Sequence, residues 1–194
     1  MNEADQLVRY LAKEFEALGI EYFVGGSYAS SLHGIPRFTR DVDIVTNVKP
    51  GDVGNLVTRL AGDFYIDSDS MNDAIVTKSS FSIIHLASMM KADIFILTDD
   101  EWAQHRWSQR EIVVLGSGLE RQEVCVSTVP DLIIQKLLWY KMGAEVSLQQ
   151  WGDVQGLLKT FRSRLDIGYL RVWAGKLKID ELLEKALVES GMAD

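Results

Sequence analysis

The segment Tyr22–Val45 reads YFVGGSYASSLHGIPRFTRDVDIV and is the most informative part of the sequence about the fold. It opens with an apolar run that ends in Gly25-Gly26-Ser27, and it closes with a second apolar run that carries Asp41 and Asp43. Residues i and i+2 of a strand point to the same side, so the two carboxylates are predicted to project together while their apolar neighbours enter the core. The stretch therefore predicts a strand, a glycine turn, a short helix and a second strand.

The glycine turn and the paired acids favour two kinds of ligand. Carboxylate oxygens on a rigid strand can hold a divalent cation. Glycines before a helix start present backbone N–H groups to an anion, and the helix dipole adds to the attraction. A metal beside a phosphate indicates a site for a nucleoside triphosphate.

A third acid, Asp93, lies near the start of the apolar run 92–97. Burying a carboxylate there is costly unless it is paired or bound to a cation. A Gly-Gly-Ser turn and an Asp-x-Asp pair are each common, and taken singly each is more often structural. Their joint placement favours a site in which Asp41, Asp43 and Asp93 hold two divalent ions.

Helical and extended patterns alternate up to residue 128, and only helical patterns follow. We predict an α/β (α+β) fold, with a mixed or antiparallel sheet flanked by helices in residues 1–128 and a closely packed helical part in residues 129–194. The predicted strands are 21–24, 42–46, 64–66, 81–86, 92–97, 111–115 and 123–127. The predicted helices are 5–18, 27–34 (with Ser27 as its cap), 50–61, 99–109, 130–142, 147–161, 167–177 and 181–190. The polar segment 67–73 is predicted to be a loop.

Composition narrows the function classes. The 194 residues carry a formal net charge of −8, which argues against broad nucleic-acid binding but not against a local basic patch. The sequence shows no long apolar run and no signal pattern, so we expect no membrane attachment. Cys125 is the single cysteine, which excludes an internal disulfide and fits a reducing cytoplasm.

The Gly-Gly turn, the Asp-x-Asp pair and the later single Asp together resemble the core signature of the polymerase β-type nucleotidyltransferase superfamily. More closely, the chain is similar to the bacterial AbiEii-like nucleotidyltransferase toxins, from about Ile20 to the C-terminal helices. The matching residues are His33-Gly34, Arg37, Thr39-Arg40-Asp41-Val42-Asp43, Phe81, Lys91-Ala92-Asp93, Pro130-Asp131, Lys136-Leu137, Trp139, Lys141 and Trp151-Gly152-Asp153-Val154.

The resemblance implies transfer of a nucleoside monophosphate from an NTP to a hydroxyl of RNA or protein, with release of pyrophosphate. It implies two Mg²⁺ or Mn²⁺ ions, both held by Asp41 and Asp43, with Asp93 on the catalytic ion and favouring deprotonation of the acceptor. Gly25-Gly26-Ser27 would hold the β- and γ-phosphates. The implied role is that of a toxin or phage-defence component with a cognate antitoxin-type protein.

Two cations are candidates for further nucleotide contacts. Lys136 lies among apolar helix residues, so its ammonium is expected to point at an anion such as phosphate; the alternative is a snorkelling surface lysine. Arg37 lies in the loop and is free to reach a ligand. Histidine at a helix end is more often structural, and that is the role we expect for His33. Gln149-Gln150 replace an arginine common in relatives, which would lower phosphate affinity if that arginine binds phosphate.

Two other functions stay open at this point. One is a non-catalytic module that keeps the nucleotide-binding fold and acts by binding a protein. The other is a nucleotidyltransferase of the antibiotic-modifying type, for which acidic charge would suit cationic drugs, although net charge says little about a pocket.

Overall fold

The computed structural model describes residues 2–34, 39–118 and 121–192. The chain divides into two compact units, Met1–Tyr28 with Phe38–Ser127 and Ala29–Arg37 with Thr128–Asp194. The longer segment of the second unit therefore begins one residue before the predicted helical part. The shorter segment, Ala29–Arg37, follows the glycine turn in the sequence.

The first unit is built on a mixed sheet, as predicted. In the described part of the chain its strands are β1 (Tyr22–Val24), β2 (Asp41–Thr46), β3 (Phe64–Tyr65), β4 (Ser80–His85), β5 (Lys91–Ile96), β6 (Glu111–Leu115) and β7 (Gln122–Val126). They are ordered β3-β4-β5-β2-β1-β7-β6. β2 runs parallel to β5 and β1 runs parallel to β7, while the other neighbours are antiparallel. β2 thus lies at the centre, paired along both edges.

The strands alternate in burial because one face of the sheet packs into the core. On β2, Val42 and Ile44 are buried, and on β5, Ala92 and Ile94 are buried. The helices of this unit are α1 (Glu3–Ala17), the start of α2 (Gly26–Leu32), α3 (Val53–Leu60), α4 (Ser68–Thr77) and α5 (Glu101–Gln109). The alternation leaves the Asp41 and Asp43 side of β2 outside the core.

The prediction of a loop at 67–73 is wrong, because α4 occupies most of it. Its polar start is a cap, in which the Asp67 side chain accepts a hydrogen bond from the Asp69 N–H. Met71, Ala74 and Ile75 form its buried face. A segment rich in Ser, Asp and Asn is typical both of loops and of helix starts. The apolar residues that indicate a helix here lie near the end of segment 67–73 and beyond it.

The second unit contains four further helices in the described residues: α6 (Val129–Met142), α7 (Leu148–Phe161), α8 (Ile167–Lys176) and α9 (Asp180–Glu189). Their bounds agree with the predicted helices to within one residue at each end. Leu137, Val154, Leu170 and Leu183 are fully buried and form the core of this unit. No helix within the described ranges is both long and apolar enough to cross a membrane.

Candidate active site

The register of the sheet brings the three predicted acids to one face. Asp43 of β2 and Asp93 of β5 are partners in a parallel pair, and Asp41 is the partner of Lys91. Because side chains two residues apart share a face, all four project from the same side, opposite the buried face. Asp43 and Asp93 are half-buried and Asp41 is exposed. Asp41, Asp43 and Asp93, together with Lys91, form what we call the acidic face.

The glycine turn lies directly against Asp43. The Gly25 N–H donates a 2.8 Å hydrogen bond to the Asp43 carbonyl oxygen. Gly26 has φ +59°, and a Cβ built on it would stand 1.7 Å from Asp43 Oδ2. Both the left-handed backbone and the space therefore demand glycine at position 26.

The helix after the turn begins one residue earlier than predicted. Since α2 starts at Gly26, Ser27 is its second residue and not its N-cap. The next residue, Tyr28, is buried, and its hydroxyl donates a 2.7 Å hydrogen bond to Asp5 Oδ1. Burial, together with the hydrogen bond to Asp5 and its charge, raises the pKa of Tyr28. Tyr28 thereby fixes the first turn of α2 to α1.

Both oxygens of Asp93 have partners. The Ser82 hydroxyl donates a 2.5 Å hydrogen bond to Asp93 Oδ1, and the Lys91 Nζ lies 2.7 Å from Asp93 Oδ2. The hydrogen bond to Asp93 raises the pKa of Lys91, as do the charges of Asp93, Asp41 and Asp43, while partial burial opposes the shift. Lys91 thus experiences the negative charge of all three acids.

The donor chemistry of this face fits a hard divalent cation such as Mg²⁺, which takes carboxylate oxygens. Gly26 leaves room for the Asp43 carboxylate where any side chain at position 26 would displace it. No group of three or more His, Cys, Asp or Glu residues in the described ranges is gathered closely enough to hold a metal ion. The two oxygens of Asp93 are instead directed at Lys91 and Ser82.

No protein-family model and no curated protein matches the sequence. Solved structures do match along nearly the whole chain. An antigenic nucleotidyltransferase-like protein from Paracoccidioides brasiliensis aligns with 95% of this chain and 92% of its own, at 17% identity and a TM-score of 0.56. The antibiotic-resistance factor ANT(2'')-Ia aligns with 94% of this chain and 95% of its own, at 12% identity and a TM-score of 0.60.

The chain has a nucleotidyltransferase fold. The lincosamide antibiotic adenylyltransferase LnuA, solved with lincomycin, is also similar over 81% of this chain and 96% of its own, at 13% identity and a TM-score of 0.49. The similarity to the first two structures confirms the fold predicted from the glycine turn and the acids. The closer similarity to the AbiEii-like toxins stays a prediction.

The other predicted site residues lie elsewhere in the fold. Lys136 is on α6 of the second unit, with 1% of its side chain exposed, and its Nζ donates a 2.7 Å hydrogen bond to Asp153 Oδ2. The surface alternative for Lys136 is therefore wrong, and its contact with phosphate stays a prediction. Arg37 lies outside the described residues. The His33 ring packs edge-on against Phe161, with ring centroids 6.3 Å apart, as a structural histidine would.

Sequence reasoning gave no role to Lys91, Ser82 or Asp153. Lys91 stands two residues before Asp93, so strand alternation alone could have placed it on the acidic face. The contact of Ser82 with Asp93 could be recognised only from the register of β4 with β5. Asp153 on α7 is the partner of a buried lysine from another helix, and nothing in its local sequence signals that pairing.

The Lys136–Asp153 pair leads to a prediction on stability. Replacing Asp153 with alanine removes the carboxylate that faces a buried ammonium, which should lower the free energy of unfolding by about 3 kcal/mol. The double variant Lys136→Met/Asp153→Leu removes both charges and should recover most of that loss. Urea unfolding of both variants measures the effect. A single variant as stable as the wild type would show that the pair adds nothing.

Proposed function

We propose that this protein is a metal-dependent nucleotidyltransferase, which transfers a nucleoside monophosphate from an NTP to a hydroxyl acceptor and releases pyrophosphate. The observation that carries the proposal is the contact of Gly26 with Asp43 beside Asp93, within a nucleotidyltransferase fold. A turn that only glycine can form against a carboxylate brings backbone N–H groups and anionic oxygen ligands to the same place, as a metal–triphosphate ligand requires.

Each residue of the site has a distinct role in this proposal. Gly25, Gly26 and Ser27 hold the β- and γ-phosphates, and Asp41, Asp43 and Asp93 hold the Mg²⁺ or Mn²⁺ ions. When bound, two such ions would neutralise phosphate charge and acidify the acceptor hydroxyl. Lys136 is proposed as a further phosphate contact because its ammonium lies among apolar residues of its helix, and Arg37 because the sequence predicts it in a loop from which it can reach a ligand.

The transfer itself is a single displacement at the α-phosphorus. The acceptor oxygen forms a bond to that phosphorus while the bond to the bridging oxygen breaks, and pyrophosphate leaves with the electron pair of the broken bond. Asp93 takes up the proton of the attacking hydroxyl, for which the Lys91 ammonium must first leave its carboxylate. Ser82 remains as the donor that orients it.

The resemblance of the sequence to AbiEii-like toxins supports a cytoplasmic toxin or phage-defence component, with RNA or protein as the acceptor and an antitoxin-type protein as a partner. The second candidate is transfer to a small cationic hydroxyl compound. Similarity to ANT(2'')-Ia along 94% of the chain favours that candidate.

A ligand screen tests the proposal. Thermal unfolding with each of the four NTPs, with and without Mg²⁺ or Mn²⁺, should reveal a stabilisation of about 2.7 kcal/mol at a ligand concentration of 100 times Kd. Incubation of labelled NTP with total RNA, with lysate protein and with aminoglycosides or lincosamides then identifies the acceptor. The absence of any metal-dependent stabilisation by all four NTPs would contradict the proposal.

A further inference from the structure

Lys91 stands where a cation bound to the acidic face would compete with it. Its Nζ lies 2.7 Å from Asp93 Oδ2, and the Lys91 position is the register partner of Asp41. The side chain of Lys91 is 43% exposed and that of Asp93 is 21% exposed, so both members of the pair are accessible to solvent. A cation that takes Asp93 Oδ2 as a ligand must therefore displace the Lys91 ammonium from it.

The second oxygen of Asp93 is also engaged. Ser82 donates its hydroxyl hydrogen to Oδ1, and since Ser82 is the register partner of Asp93, the backbone pairing of β4 with β5 keeps the short Ser82 side chain beside that carboxylate. Lys91, in contrast, sits on a long side chain with several rotatable bonds. Of the two partners of Asp93, Lys91 is the one that can move without any change of the sheet.

We infer that Lys91 is an internal counter-ion of the acidic face, which occupies Asp93 until a nucleotide supplies another anion for the ammonium and a divalent ion takes its place. The inference rests on the proposed function, because it assigns a positioning residue to that site. Because Lys91 occupies Asp93, metal binding and nucleotide binding depend on each other. The phosphates draw the ammonium from Asp93, and the released carboxylate then becomes a metal ligand.

The size of the effect follows from how often Lys91 occupies Asp93. When a binding-competent state is only a fraction of the population, the apparent affinity falls by that fraction. If the pair is formed about nine-tenths of the time, the metal binds about tenfold more weakly than it would to a free carboxylate. Coupling of this size is within the usual range for two linked ligands.

The test is a titration of the full chain with Mn²⁺, followed by the loss of the free-ion EPR signal, with and without a non-hydrolysable NTP analogue. Lys91→Met should bind Mn²⁺ alone about tenfold more tightly than the wild type. The gain in Mn²⁺ affinity caused by the analogue should be about tenfold smaller in Lys91→Met. Lys91→Arg keeps the charge and should behave as the wild type does.

Lys13→Met is the matched control, because Lys13 is exposed on α1 and its loss changes the net charge equally. It should leave both affinities unchanged. If Lys91→Met binds Mn²⁺ no more tightly than the wild type does, the inference is wrong. If Asp43→Asn has also lost Mn²⁺ binding, the proposed function still stands. Failure of the wild type and of Lys91→Met to bind Mn²⁺, with or without the analogue, overturns both.

Discussion

A Gly26→Ala variant is expected to lose nucleotidyl transfer by at least about 100-fold, although it still folds. The added Cβ would stand 1.7 Å from Asp43 Oδ2 and 2.7 Å from Asp43 Cγ, so the carboxylate must rotate away. Because Asp43 is a proposed metal ligand, Mn²⁺ binding should fall with activity. The positive φ at position 26 should add a loss of stability of about 1–2 kcal/mol.

Gly19→Ala separates these two effects. Gly19 has φ +67° and no atom within 4 Å of a built Cβ, so the substitution brings the same backbone strain without a collision. We expect a similar loss in urea unfolding and full transfer activity. If Gly26→Ala binds Mn²⁺ and transfers nucleotide as well as Gly19→Ala does, the contact with Asp43 does not shape the site.

An Asp43→Asn variant should lose transfer by about 10²- to 10⁴-fold, which corresponds to several kcal/mol of transition-state stabilisation by bound metal. The amide keeps the shape of the side chain but is a far weaker ligand for Mg²⁺. Stability without ligand should change little, because Asp43 is half-buried and the amide fills the same space as the carboxylate. The stabilisation by Mg²⁺ with NTP should disappear.

Asp73→Asn serves as the control for this experiment, because Asp73 is exposed on α4 and its charge is removed in the same way. It should retain activity and the stabilisation by Mg²⁺ with NTP. Transfer by Asp43→Asn at the rate of the Asp73→Asn control would exclude a role for Asp43 in catalysis. The non-catalytic module considered from the sequence would then be the better explanation.

The local sequence predicts the strands of the candidate site but not how those strands pair. Apolar and polar residues alternate around Asp41 and Asp43, as they do in a half-buried strand. Both the strand and the shared face of the two carboxylates could therefore be predicted. The parallel pairing of Asp43 with Asp93 joins strands far apart in the chain, and no local pattern encodes it. The structure therefore supplied the register, and with it the contact of Ser82 with Asp93.

The missed helix α4 and the buried Lys136–Asp153 pair show the same limit. Helix α4 begins with residues that also favour loops, and burial of Met71 by the rest of the unit decides between the two. Lys136 could be recognised as unusual from its apolar neighbours. Its partner could not, because Asp153 reaches it from a different helix.

The central position of β2 also determines when the site can exist during synthesis. Asp43 leaves the ribosome well before Asp93, and in the meantime β2 can pair with β1 but has an open edge on the side that β5 later covers. Pairing between distant segments forms late because the intervening chain must first be ordered. A nascent or truncated chain that ends before β5 has no third carboxylate, so the proposed transferase activity would require the complete sheet.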